Sequence, residues 1–261
     1  MKALLPKYNK RLITIAAEKD LSLTPLGIVG GWPIWLVRSA SPHSSKRKKV
    51  LVIAGFHGEE QAGPWGILKW LENYHKENYK GIDISLIPVV NPTGFNIKKR
   101  YNTWNEITNQ GFCHEELGHL PSREGRILLD HWQRLYSCAM NGQISLHEDD
   151  TIKKEYYLYT YEPTPDPGQF TCGLLDCLQK WFSTPLNGVS VSSDTNRLVP
   201  PYVVNGLIYN YHDSDWDDFM SHRGCPRVAV SETPALAKLE YRIDCHVDLI
   251  DTFIDLIRKG C

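Results

Sequence analysis

The chain has 261 residues, with 29 Lys plus Arg against 30 Asp plus Glu and a net charge of −1; 42% of it is apolar, 23% charged and 11% aromatic. Such a chain is long and apolar enough to bury a sizeable core, which excludes a disordered polymer, and fits one large domain or two small ones. Its balanced charge argues against a nucleic-acid or anionic-membrane surface, which needs a basic excess, and no run of 18 uncharged apolar residues predicts a membrane-spanning helix.

Near the N-terminus Lys2, Lys7, Lys10 and Arg11 are not followed by the apolar block of a signal peptide, so a cytoplasmic protein is expected. Residues 23–37 predict a hairpin, with Gly30-Gly31 as the turn dipeptide between β-branched and aromatic residues. The basic stretch 41–49 predicts a solvated loop. Residues 50–56 form a continuous apolar run, as expected of a strand buried on both faces of a parallel sheet. Ile67, Trp70, Leu71 and Tyr74 then recur at helical spacing. A second apolar run, 84–90, closes on Asn91-Pro92. Leu128, Trp132, Leu135, Tyr136 and Ala139 predict a helix behind Ser122 as its N-cap. Short strands are expected at 144–146 and 228–230, and helices around Leu174, Leu178, Trp181 and Phe182 and around Val247, Ile250, Ile254 and Ile257. Alternating strands and helices predict an α/β fold, with residues 1–261 as a single domain around a mixed, mostly parallel sheet flanked by helices. The seven cysteines (113, 138, 172, 177, 225, 245, 261) form no CxxC and no regular spacing, so reduced thiols are expected.

Four of these strands run directly into groups able to do chemistry: His57-Gly58-Glu59-Glu60, Asn91-Pro92-Thr93-Gly94, His147-Glu148-Asp149-Asp150 and Ser231-Glu232-Thr233-Pro234. Open α/β sheets bind ligands at the carboxyl ends of their strands, so the four tips are expected to share one crevice. His57 and Glu60 form an HxxE pair, and His147 is the natural third ligand. Two His and one Glu are a known catalytic zinc set that leaves a position for water. His114-Glu115-Glu116-Leu117-Gly118-His119 mimics the HExxH zinc-protease helix, but its histidines are five apart and fall on different helix faces, which predicts a polar loop. There is no GxSxG elbow and no GxxxxGK[ST] loop.

The ordered set His57-x-x-Glu60, Asn91-Pro92-Thr93-Gly94-Phe95, Arg100, His147 and Glu232, which spans about two-thirds of the chain, resembles the M14 zinc metallocarboxypeptidase family. That family shares its core with the succinylglutamate desuccinylase and aspartoacylase branch. The resemblance implies a zinc carboxypeptidase-like (phosphorylase/hydrolase-like) fold and one Zn2+ held by His57, Glu60 and His147. It implies Glu232 as general base and Arg100 as the group that polarises the scissile carbonyl. His212 stands in reserve as a ligand. Many members carry an Asn-Arg pair that grips a substrate carboxylate. The nearest match here is Asn109-Gln110, and a neutral amide cannot make arginine's bidentate pair. Arg123 and Arg126 are nearby replacements. The family's mobile tyrosine points to Tyr209 or Tyr211. Glu148, Asp149 and Asp150 are expected to be solvated, with orienting His147 or holding another ion as alternatives, and Asp149 and Asp150 are also available to meet a cationic substrate group. The aromatic run 156–161 predicts a strand that walls the cleft or packs across the sheet. The expected activity is hydrolysis of an amide near the C-terminus of a peptide. N-acyl amino-acid or murein-peptide hydrolysis, and a silent zinc-binding protein, are the alternatives. The expected partner is a peptide or acylated amino-acid substrate, with no nucleic acid and no membrane.

Overall fold

In the computed structural model, which describes residues 4–39, 47–113, 119–189 and 201–261, the five residues Val50 to Ala54 are all fully buried. Alternation explains this: Val50, Val52 and Ala54 face one apolar layer while Leu51 and Ile53 face another. The strands in chain order are β1 (Leu21–Val29), β2 (Trp32–Ser39), β3 (Lys48–Ala54), β4 (Ile82–Ile87), β5 (Gly142–Asp149), β6 (Glu155–Tyr161), β7 (Thr184–Pro185), β8 (Gly188–Val189), β9 (Tyr202–Val203), β10 (Leu207–Tyr209) and β11 (Val228–Pro234). The helices are α1 (Leu4–Glu18), α2 (Ala62–Glu72), α3 (Pro92–Ile97), α4 (Arg123–Asp130), α5 (Trp132–Cys138), α6 (Gln169–Trp181), α7 (Trp216–His222) and α8 (Leu239–Lys259).

The main sheet runs β1-β2-β4-β3-β5-β11-β6-β10, with β7 also on β6. Its centre, β4-β3-β5-β11, is parallel, and β1, β2 and β6 add the antiparallel pairings. The sheet is therefore mixed and mostly parallel, as the alternation of elements predicts. Helices α1, α2, α6 and α8 cover one face, and α4, α5 and α7 cover the other. Gly30 and Gly31 have φ of 58° and 81°, the left-handed pair that closes a two-residue hairpin with the twist of its strands. All seven cysteines are free. Among the described residues no helix is long and apolar enough to cross a membrane.

Two of the helical regions differ from expectation. The helix behind Ser122 is two helices, because His131 leaves helical geometry (φ −109°, ψ 9°) and its Nε2 lies 2.7 Å from the Leu26 carbonyl. Ser122 does cap the first of them, accepting from Gly125 N at 3.0 Å. Helix α1 was not anticipated, although Leu5, Tyr8, Leu12, Ile15 and Ala16 make one buried stripe. Tyr8 anchors it by donating to the Pro64 carbonyl at 2.8 Å. Residues 41–46 of the basic stretch and 114–118 of the HExxH-like segment lie outside the described residues.

His246, on the buried face of α8, lies 3.3 Å from Thr233 Oγ1, and burial lowers its pKa to about 3. The folded state resists protonation that the unfolded chain accepts near pH 6.5. Its stability is therefore complete above that pH and is lost as pH falls towards 3. We expect this group to cost about 2 kcal/mol between pH 7 and pH 5, at about 1.4 kcal/mol per pH unit. His246→Gln should flatten that part of the slope in urea midpoints. Equal slopes in both proteins would refute the assignment.

Candidate metal centre

The centre is built at the tips of β3, β5 and β11. After β3 the chain turns sharply through Phe56 and His57, and Glu60 N donates back to the His57 carbonyl at 3.3 Å, so the two HxxE side chains turn to one side. Gly58 is needed here, since a Cβ at that position would stand 2.1 Å from Gly94 C and 2.3 Å from Lys99 O. That close approach brings the Asn91-Pro92-Thr93-Gly94 segment, and Arg100 beyond it, against the HxxE loop. Asn91 caps α3 by accepting from Gly94 N at 2.8 Å, and its Nδ2 donates to the Arg100 carbonyl at 3.1 Å. The NPTG motif is thus the clamp that sets Arg100 in place.

Three side chains converge. One ligand atom each from His57, Glu60 and His147 lies within 4.8 Å of the others, and all three residues are buried. His147 Nδ1 is 2.9 Å from Glu60 Oε2, and the two imidazole rings meet edge-on at 5.3 Å. Phe56 stacks on His147 at 5.6 Å. Arg100 Nη1 lies 3.1 Å from Glu59 Oε1 and 3.3 Å from Glu60 Oε1. On β11, Glu232 is in register with His147 on one side and with Tyr157 of β6 on the other. Glu232 remains partly exposed near the end of β11.

The electrostatics suit a cation. Burial, with Arg100 and His147 adding to it, holds the His57 pKa well below the usual range, and burial lowers that of His147. Both imidazoles are therefore neutral, as metal ligands must be. Burial pushes Glu60 and Glu232 well above the carboxylate range, each raised further by the other acids around it. His57 Nδ1 is buried with no hydrogen-bond partner, and Glu60 Oε2 has only the neutral His147 imidazole beside it, a costly state that a cation would relieve. The donor set fits a metal ion.

One neighbour sits otherwise than expected, and a second has no forecast in the sequence. Glu148 is buried rather than solvated, with Oε2 accepting from Ala62 N at 2.7 Å and Oε1 paired with Arg242 of α8. It ties the strand bearing His147 to the start of the helix behind Glu60. Asp217, on α7, is fully buried, and its Oδ1 accepts from Gln143 Nε2 and Ser145 Oγ, each at 2.7 Å. Gln143, Ser145 and His147 alternate along β5 and so share a face. Asp217 Oδ2 and His147 Nε2 are both buried with no hydrogen-bond partner. Burial raises the Asp217 pKa to about 6, with the hydrogen bonds from Ser145 and Gln143 opposing the rise. The one sequence signal for Asp217 is the polar alternation before His147.

Other expected site residues fall differently. Asn109 is buried beside the centre's loops, and its Oδ1 accepts from Trp216 N at 3.2 Å, which fastens α7. Thr108, just before it, donates to the Phe56 carbonyl, so Asn109-Gln110 is carried next to His57. Arg123 pairs with Glu106 and covers the Trp104 ring at 4.4 Å. Tyr209 faces Thr160 and, through it, the level of Ala229, three residues before Glu232 and two strands away. Its hydroxyl is 2.9 Å from the Thr164 carbonyl and 3.0 Å from that of Asp166. It pins a loop because β10 runs against β11. Tyr211 packs against the apolar layer beneath the sheet. Asp149 is buried too, accepting from Tyr157 Oη at 2.8 Å and Thr151 N at 2.8 Å, while Asp150 is exposed. His212 lies apart, 2.5 Å from Asp218.

Residues 46–149 match the Succinylglutamate desuccinylase/Aspartoacylase catalytic domain family. Among solved structures, a "putative metallopeptidase" of Shewanella denitrificans OS217 is 33% identical over 95% of this chain and 88% of its own, with a TM-score of 0.83. A second protein of that description, from Shewanella baltica OS155, is 32% identical over 97% of this chain and 92% of its own, with a TM-score of 0.87. The chain belongs to the M14-like metallopeptidase family. Its fold is also that of a metallo-carboxypeptidase from Burkholderia cenocepacia, 14% identical over 98% of this chain and 69% of the other, with a TM-score of 0.70. No curated protein matches the sequence. As an M14-like metallopeptidase the chain carries the carboxypeptidase-like α/β fold that its ordered motif set implies.

Proposed function

We propose that the protein is a zinc-dependent metallocarboxypeptidase that hydrolyses an amide near the C-terminus of a peptide. The observation that carries this reading is the crevice at three strand tips, where two neutral buried imidazoles, Glu60, Arg100 and Glu232 face one another. Zinc at His57, Glu60 and His147 would polarise the scissile carbonyl and supply a water acidic near pH 7. Glu232 takes the proton of the attacking water and returns it to the leaving amine. Arg100 places a guanidinium beside the developing oxyanion, with Glu59 and Glu60 fixing its position.

A second reading, an N-acyl amino-acid deacylase or murein-peptide amidase on the same scaffold, is favoured by the family match over 46–149 and by Gln110. The test is mass spectrometry of a mixed pool with and without a zinc chelator. The pool holds free-acid peptides, their C-terminal amides, γ-linked murein peptides and N-acyl amino acids. Chelator-sensitive trimming of free acids alone supports the carboxypeptidase. Release from acylated or γ-linked compounds alone moves the protein to the second reading. Bound zinc without any turnover would leave a silent binding protein.

A further inference from the structure

Away from the strand tips, a second group of ligand-type side chains converges on one carboxylate oxygen. His212 Nδ1 is 2.5 Å from Asp218 Oδ1, and His222 Nε2 is 3.3 Å from the same atom. One ligand atom from each of the three lies within 4.8 Å of the others. Helix geometry supplies half of this, since Asp218 and His222 are four apart on one face of α7. The preceding turn supplies the rest. Asp218 Oδ2 accepts from Asp213 N at 3.0 Å and Ser214 N at 2.9 Å, which bends the chain so that His212 returns over the helix.

The Asp218 carboxylate is thus divided, one oxygen held by two backbone N–H groups and the Cys113 thiol and the other presented to two imidazoles. Asp218 is fully buried, whereas the His212 and His222 side chains are 46% and 45% exposed, so an ion can arrive from solvent and keep water in its remaining positions. Around a tetrahedral ion with Zn–N and Zn–O bonds near 2.0–2.2 Å, ligand atoms stand roughly 3.3 Å apart. The His222–Asp218 pair already has that spacing, and the His212–Asp218 pair needs only to open slightly. Asp213, Asp215, Asp217 and Asp218 also crowd into six residues, a charge density that a dication would offset.

We propose that His212, Asp218 and His222 form a second divalent-cation site, separate from the strand-tip centre, for an ion of Zn2+ or Co2+ type that imidazole and carboxylate ligands suit. The bound ion clips the loop before α7 to the helix. That helix carries Asp217, so the clip also steadies the contact with Gln143 and Ser145 beneath His147.

Chelator-stripped protein titrated with Zn2+ by calorimetry, with Co2+ absorption as the second probe, tests this. The wild type should bind two ions, His222→Ala one, and His212→Ala one. Both histidines are half exposed, and circular dichroism checks that each variant folds. His147→Ala reports the other centre independently, so loss of one ion there and another in His222→Ala means two sites. If His222→Ala and His212→Ala both bind as many ions as the wild type with unchanged affinity, the cluster is a hydrogen-bonded His–Asp–His group and the proposal fails.

Discussion

Glu232→Gln should keep the full metal content of the wild type and lower kcat/KM by about 10²–10⁴-fold, the range that a positioned acid–base group supplies. The two side chains are nearly isosteric, and Glu232 is not one of the three converging ligand residues, so neither the register of β11 nor metal binding should change. What disappears is the carboxylate beside His147 that can take a proton from water and return it. Stability points the opposite way. Burial holds the Glu232 pKa well above the usual carboxylate range. Ionising it in the metal-free fold therefore costs free energy that grows as pH rises through the folded pKa. Metal-free Glu232→Gln should melt no lower than the wild type at pH 8. Activity within tenfold of wild type would remove Glu232 from the role of base, and loss of metal would instead make it a ligand.

The strand tips were legible because each is local. An apolar run ends, and the next residues are His57, Asn91, His147 or Glu232, so a reader who knows that parallel strands bind at their carboxyl ends can assemble them. The same locality shows the Gly30-Gly31 turn and the Ser122 cap. Failures arise where a residue's role is set by a distant partner. Glu148 looks like the start of an acidic surface run, yet Arg242, 94 residues on, pairs with it and Ala62 N binds its other oxygen. Asp217 reaches Gln143 across 74 residues, and no local spacing announces it. Tyr209 sits at a family-like distance from Glu232 in sequence, but the antiparallel pairing of β6 with β11 carries it to the other end of the sheet. Helix α1 does leave a local signal, its 5-8-12-15-16 apolar stripe.

The pair His147 and Asp217 allows a graded test of the centre. His147→Ala should abolish tight metal binding at the strand tips, because two remaining ligands cannot hold a zinc that needs three. Asp217→Asn should instead keep the ion with about 10–100-fold weaker affinity, the usual cost of losing a carboxylate that orients a ligating histidine. The substitution preserves shape, and its amide oxygen can still accept from Gln143 and Ser145. It changes the other atom, buried without a hydrogen-bond partner, from an acceptor into a donor and removes the carboxylate charge that acts on His147. A purely structural Asp217 would lower the melting temperature and leave the affinity of the folded protein alone. Wild-type affinity in Asp217→Asn would therefore end its role as a positioning residue. Full metal occupancy at the strand tips in His147→Ala would show that the third ligand lies elsewhere. The adjacent residue sharpens the comparison, because Asp218 faces His212 and His222 rather than β5. Asp218→Asn should leave the strand-tip affinity within a few-fold of wild type while the second ion is lost, so neighbouring positions on one short helix report on two different ions.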